Sequence, residues 1–442
     1  MLRRIRPFQK CLPLRRLFSD VPRDSTANVT EAVLSHVNRR LHLNDSHPIG
    51  ILRSIVETRF RSLPGNYSFH NDLDPVVSVK QNFDSLGFPE DHVGRSRNDT
   101  YYFNKDTVLR THTSAHQVDL IAEGAKLGKS QDAFLVSADV YRRDSIDRTH
   151  YLAFHQTEGV RYWDRNAFDS EASLIATIRE ELENMPMPQI KIVEPLCPPF
   201  DSETNPVQST HSPELATAIG DHLRRTLELV IEDIFMKAAE SNGTLNSNTE
   251  IPVHWLEDKF PFTSPSFQTE VLYNDSWLEL LGCGVIQQGV FDKANFPSAV
   301  GWAFGIGLDR LAMVLFSIPD IRLFWSDDSR FLDQFNAGKV TKFAPYSKYP
   351  STYRDIAFWL PVSADSEFHE NDLTEIVHKH SSGIVQSVSL TDEFTHPKTS
   401  RKSLCYRIVY QSMDRTLTNE EVNATQQKIS DELVDTFKVE VR

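Results

Sequence analysis

The 442-residue sequence predicts an α+β protein in two units: an antiparallel sheet flanked by helices over residues 21–335, and a smaller β-α-β-β-α-β unit over 348–442. Three observations carry this. Short runs of alternating polar and apolar residues cluster between 100 and 165 and return from 267 onward, with the period of half-buried strands. Two stretches of helical periodicity, 170–185 and 212–240, stand between them. Finally, NAGKVTKFAPYS (336–347) reads as a linker, and the pattern beyond it is self-contained.

Composition sets outer bounds. Forty per cent apolar and 24% charged residues can bury a sizeable core. No run of 18 apolar residues occurs, so no membrane-spanning helix is expected. Cys11, Cys197, Cys283 and Cys405 lie far apart without a CxxC pair, which argues against a disulfide scaffold and for a reducing compartment. Residues 1–20 read as a transit peptide. They hold Arg3, Arg4, Arg6, Lys10, Arg15 and Arg16 before the first acid, Asp20, while Pro7 and Pro13 break any secretory apolar stretch. The formal charge of −14 includes those six cations. The rest is therefore more acidic still, and any nucleic acid must meet local patches instead of a basic face.

Taken in order, His47-Pro48-Ile49 opens a helix with Ile51, Ile55, Val56 and Phe60 at helical spacing, closed by Pro64-Gly65. Residues 75–95 begin as a strand and are then punctuated by Gly87, Pro89 and Gly94. TYYF, LRTHTS, FLVSADVYRRD and YLAFHQTEGVRYW follow as strands. GAKLGKS (124–130) is one residue short of a P-loop and reads as a solvated loop. FQTEVLY and WLELLGCGV are strands, and GIGLDRLAMVLFSI is a helix after a glycine turn. Beyond the linker come a strand at 354–360, a helix near 368–380, strands at 384–394 and 404–411, a helix at 419–437 and a last strand, VEV. That order is the split βαβ, or ferredoxin-like, arrangement. Thr418-Asn419-Glu420-Glu421 has the spacing of a capping box.

Three segments carry chemistry. In VYRRDSIDRTHYLAFHQTEG (140–159), Arg142 ends one strand and Phe154 sits on the returning one. Together they can bracket a nucleotide, with a charge-assisted bond to phosphate and a stacking face. In GWAFGIGLDRLAM (301–313) the glycines permit close backbone approach, and Arg310 sits in the first turn of an apolar helix. The third is the 75–95 segment.

These segments resemble motifs 2, 3 and 1 of class II aminoacyl-tRNA synthetases. The finer text, THTSAHQ (111–117), THxxxFHQxEG (149–159), FPFTxPS (260–266), WLELLGCG (277–284) and GWAFGIGLDRLAM, is similar to phenylalanyl-tRNA synthetases. KYPSTYRDIAF and RTLTNEEVN resemble their ferredoxin-fold anticodon-binding domain, fused as in the single-chain mitochondrial form. The resemblance runs from about His47 to the C-terminus. It implies ATP and Mg²⁺, L-phenylalanine and tRNA(Phe) as ligands, a monomer without a second subunit, and the mitochondrial matrix.

The same resemblance implies roles. Arg142 holds the α-phosphate, His150 meets the phosphates, Phe154 stacks on adenine and Arg310 lies across the ATP. Glu279 faces the ATP and Mg²⁺ region. Ser114, Gln117, Gln156 and Glu158 anchor the amino acid, Phe260 and Phe262 stack on its ring, and Ala303 and Phe304 line the slot in a glycine-rich turn. Ala115, His116, Thr149, Tyr151 and Thr157 belong to the same implied substrate site. Three features depart from the family: Val93 for proline, Asp309 for glutamate, and an insert, AEGAKLGKSQ (122–131), that lengthens the turn before the second motif. The rival reading is an inactive, RNA-binding paralogue, against which both motif arginines argue. With eleven cations against fifteen acids in 346–442, RNA contact is expected to rest on Lys398, Arg401, Lys402 and Arg407. Deleting 346–442 is expected to spare adenylate formation.

Overall fold

The alternating runs do become strands, and the sheet they build is antiparallel except at its two edges. The computed structural model describes residues 20–442 apart from 38, 129–130, 144–147, 242, 244, 246–249, 346–348, 362–367, 382–383, 398, 400 and 413–414. The expected transit segment up to residue 19, part of the expected linker, and Lys398 lie outside the described residues.

In chain order the strands are β1 Tyr67–His70, β2 Val76–Ser78, β3 Tyr102–Asn104, β4 Thr107–Leu109, β5 Ala133–Tyr141 and β6 Ala153–Asp164. Then come β7 Ile190–Ile192, β8 Ile251–Asp258, β9 Thr263–Tyr273, β10 Ser276–Ile286 and β11 Ala299–Gly307. The longer helices are α1 Pro48–Phe60, α2 Gln117–Leu127, α3 Glu171–Asn184, α4 Pro213–Ser241, α5 Gln288–Lys293 and α6 Leu308–Leu315. One eight-stranded sheet has the order β1-β5-β6-β11-β10-β9-β8-β7. Among the described residues only the edge pairs β1–β5 and β7–β8 of this sheet are parallel. Asn274 and Asp275, both at positive φ (50° and 61°), join β9 to β10, as a two-residue primed turn requires.

Each face of the sheet is covered by helices. Trp302, Phe304, Phe267 and Val271 pack in one core with Phe60 of α1 and Leu223, Val230 and Ile234 of α4. Phe134, Val136 and Val160 pack in another with Leu120 and Ile121 of α2 and Phe291 of α5. Helix α1 starts where its caps say it should: Pro48 fills the first position, and His47 Nδ1 accepts from Ile49 N at 3.3 Å.

Three expectations need correction. LRTHTS is not one strand, because β4 ends at Leu109 and Thr113–His116 is a 3₁₀ turn feeding α2. Arg110 is responsible. Its buried guanidinium donates to the carbonyls of Leu73, Asp74 and Asp139 and pairs with the Asp139 carboxylate, which pulls the chain inward. The insert is not a lengthened turn either. Helix α2 continues to Leu127, since Leu120, Ile121 and Gly124 are buried at helical spacing. Lastly, GWAFGIG is no turn but strand β11, hydrogen-bonded to β6 on one side and β10 on the other. Gly301 shows how tight that pairing is, for an added Cβ would stand 2.1 Å from the Arg161 carbonyl oxygen. Gly301→Ala is therefore expected to cost about 1–3 kcal/mol, read as a lower denaturant midpoint; an unchanged midpoint would show that the strands can part there freely.

The C-terminal unit comprises β12 Thr352–Trp359, α7 Glu370–Ser381, β13 Val385–Thr395, β14 Lys402–Tyr410, α8 Asn419–Phe437 and β15 Glu440–Val441. Its four strands pair antiparallel in the order β13-β14-β12-β15. Phe358 and Ile408 share a core with Leu373 and Val377 of α7 and with Val422, Ile429 and Leu433 of α8. The capping box is half formed. Thr418 Oγ1 accepts from Glu421 N at 3.2 Å, but the Glu421 carboxylate turns to Arg415. The described cations of the expected RNA patch also have partners: Arg401 with Glu440 (2.9 Å), Lys402 with Glu393 (3.1 Å) and Arg407 with Asp355 (2.8 Å).

Candidate active site

A cavity of about 570 Å³ opens over β6, β10 and β11, beneath the loop that carries Phe260 and Phe262. Its two ends differ in chemistry.

One end is cationic and aromatic. Arg142 follows the last residue of β5; its N donates to Leu152 O at 3.2 Å, and its Nε donates to Thr111 O at 2.9 Å. Its guanidinium lies over the Phe154 ring, 5.1 Å from the centroid. Opposite, an Arg310 amino group stands 3.0 Å from His150 Nε2, and His150 Nδ1 stands 3.2 Å from Thr149 Oγ1. Arginine can only donate, so His150 Nε2 is the acceptor of that bond. The residue before Arg310 sets this geometry. Buried Asp309 accepts from the His155 backbone N at 2.5 Å and lies 3.1 Å from that residue's Nδ1, tying the first turn of α6 to β6. The His155 ring in turn stacks on Trp325 at 5.2 Å.

The other end is a flat-floored slot. Gly282 of β10 and Gly305 of β11 are register partners. A Cβ at Gly282 would stand 2.6 Å from Phe260 Cζ, while one at Gly305 or Gly307 would project into open space. Phe260 and Phe262 stack with their centroids 6.0 Å apart, and Phe88 lies 6.1 Å from Phe262. At the slot's polar end Glu158 is 3% exposed. Its Oε2 accepts from Ser114 Oγ and, at 3.2 Å, from Thr113 Oγ1. Burial pushes its carboxyl up to about 7, with the Ser114 and Thr113 hydroxyls pulling the other way. Gln156 Oε1 accepts from Thr113 N at 3.3 Å. Among the described residues Glu158 Oε1, a buried acceptor at the cavity, has no hydrogen-bond partner. Buried acceptors ordinarily find donors, so this end is built for a donor the chain does not supply, and an ammonium fits.

A family model described as tRNA synthetases class II core domain (F) matches residues 34–200 and 208–335, and one described as ferredoxin-fold anticodon binding domain matches 347–442. The mitochondrial phenylalanine–tRNA ligase of Saccharomyces cerevisiae is 46% identical over 437 residues, covering 94% of this chain and 92% of its own. The chain belongs to the phenylalanine–tRNA ligase family. The mitochondrial member from Mus musculus is 40% identical over 438 residues, covering 97% of this chain and 89% of its own. The alpha subunit from Coxiella burnetii is 29% identical over 300 residues, 66% of this chain and 69% of its own.

Most side chains expected from the ligase resemblance meet at this cavity: Ser114, Arg142, Thr149, His150, Tyr151, Phe154, Gln156, Glu158, Phe260, Phe262, Glu279, Ala303, Phe304 and Arg310 line it. Four do not. Ala115 packs with Val77, Tyr102 and Val108, and His116 Nε2 lies 3.1 Å from Arg110. Thr157 Oγ1 is 2.8 Å from Ser137 Oγ, and Gln117 is buried beyond the lining. Phe304 reaches the wall from the core, where its ring stacks on Phe60 at 5.4 Å. Sequence reading missed Phe88, His112 and Thr113, which also line the cavity. The last two stand inside the very THTSAHQ text that flagged Ser114.

Proposed function

We propose that the protein activates L-phenylalanine with ATP, forming phenylalanyl-adenylate and pyrophosphate. It then transfers phenylalanine to the 3′-terminal adenosine of mitochondrial tRNA(Phe). The observation that supports this most directly is a single cavity with an arginine–aromatic clamp at one end and a glycine-floored aromatic slot with an orphan acceptor at the other. In that reading Arg142 neutralises the α-phosphate as the amino-acid carboxylate attacks it. His150 and Arg310 hold the outer phosphates, and Phe154 stacks on the base. Glu158 accepts from the α-ammonium, and Phe260 and Phe262 grip the ring, worth about 0.5–1.5 kcal/mol for each aromatic pair. The chemistry is positioning and charge stabilisation. With Arg142 and Arg310 both at the cavity, the inactive reading has no support.

Mg²⁺ belongs to this proposal. Among the described residues no three metal-binding side chains cluster. Exposed Glu279 stands at the cavity with Glu270 as its register partner. One or two carboxylates completed by substrate phosphates is an ordinary Mg²⁺ arrangement, so Glu279 would hold the ion, which supplies charge neutralisation. We assign residues 1–20 to mitochondrial import, 21–335 to catalysis, 336–347 to a linker and 348–442 to the anticodon, within one chain working in the mitochondrial matrix. ATP–pyrophosphate exchange tests the reading: it should require phenylalanine, and exchange absent with every amino acid would sink it. The slot adds a prediction. Ala303 is small, 4% exposed and at the cavity wall. Ala303→Gly should admit para-chlorophenylalanine in the same assay, and an unchanged preference for phenylalanine would remove Ala303 from the slot.

A further inference from the structure

Neighbouring residues 142 and 143 serve different partners. Arg142 faces the cavity, whereas Arg143 is 5% exposed and faces the C-terminal domain. Arg143 Nε donates to Glu375 at 2.9 Å, one amino group donates to Asp372 at 2.7 Å and the other to Arg97 O at 2.7 Å. The Asn371 amide donates to the Arg143 carbonyl and, at 2.8 Å, to Asn98 O. All three partners from the C-terminal domain lie in the first two turns of α7. On the returning side of the same hairpin, the Gln386 amide oxygen of β13, turned toward its donors, accepts from Arg148 at 2.8 and 3.0 Å. Two residues on is His150. Tyr151, which lines the cavity, also meets His378 of α7 edge-on at 5.9 Å.

We propose that the C-terminal domain, seated on Arg143 and Arg148, is a positioning element for amino-acid activation. It holds both sides of the hairpin that presents Arg142 and His150 to ATP, through the Arg143 carbonyl and guanidinium on one and the Arg148 guanidinium on the other. The idea rests on the activity proposed above and revises the expectation that 346–442 are dispensable for adenylate formation. Its energetic basis is the burial of Arg143: a guanidinium deprived of its carboxylates in such a place relaxes by moving, and the peptide next to Arg142 moves with it. Coupling is reciprocal, so ATP on Arg142 must favour the seated domain by the factor with which seating favours ATP.

The test uses full-length protein and ATP–pyrophosphate exchange. D372N/E375Q loosens one side of the hairpin and Q386A the other, and none of these residues lines the cavity. Both variants should lower kcat roughly 10- to 100-fold, the usual scale for misplacement at a distance, while KM for phenylalanine stays at its wild-type value. If D372N/E375Q fails to fold, Q386A alone decides. Wild-type kcat in the folded variants overturns the proposal, as does a KM for phenylalanine that rises as kcat falls, the mark of general loosening. The parallel wild-type assay keeps the two readings apart, because exchange missing there counts against the ligase activity and not against the coupling.

Discussion

Arg142→Ala should lower phenylalanine-dependent pyrophosphate exchange roughly 10²–10³-fold, the scale for losing one preorganised donor to developing charge. The guanidinium is aimed before ATP arrives: Nε donates to the Thr111 carbonyl, and the group lies over the Phe154 ring at the cavity wall. Arg142→Lys should restore little, since an ammonium cannot hold a carbonyl with one edge and a phosphate with the other. Exchange at the wild-type rate in the alanine variant would take Arg142 out of the mechanism.

Glu158→Gln should raise KM for phenylalanine roughly 10- to 100-fold, following the about 1.5–3 kcal/mol of a hydrogen bond to a charged group, with a smaller change in kcat. The pH dependence gives a sharper signature. Burial pushes the Glu158 carboxyl up to about 7 in the free protein, whereas an ammonium beside it favours the carboxylate. Binding therefore releases a proton as pH falls below about 7, and affinity weakens by up to about tenfold per unit. The glutamine variant should lose that slope. A wild-type KM flat from about pH 5.5 to 8 would show that Glu158 does not meet the ammonium.

What the sequence made legible was local. Helix α1 announces itself in His47-Pro48, and the C-terminal β-α-β-β-α-β order follows from period alone. Arg142, Phe154 and Glu158 stand where a hairpin must bring them together. What stayed hidden depends on partners far along the chain. Arg110 looks like a strand residue until Leu73, Asp74 and Asp139 come within reach of its guanidinium, and only then does 113–116 become a turn. Strand β8 went unanticipated although Val253 and Trp255 alternate, because its pairing with β9 crosses the loop bearing Phe260. Asp309 reads as a conservative exchange beside Arg310, and its grip on His155, 154 positions away, is invisible without the fold. Arg143 is overshadowed by its neighbour for the same reason.

The ion pairs on the small domain's sheet have a bearing on how it meets RNA. Arg401, Lys402 and Arg407 already rest against Glu440, Glu393 and Asp355. A phosphate approaching any of them would thus be a competitor, trading places with a carboxylate and turning it out to water. Such a swap yields little net attraction and punishes poor fit, because a mispositioned phosphate leaves the displaced carboxylate without a cation and gains no good contact in return. The acidic partners would act as a threshold: they would hold these cations indifferent to polyanions at large and let them respond to one whose phosphates match their placement.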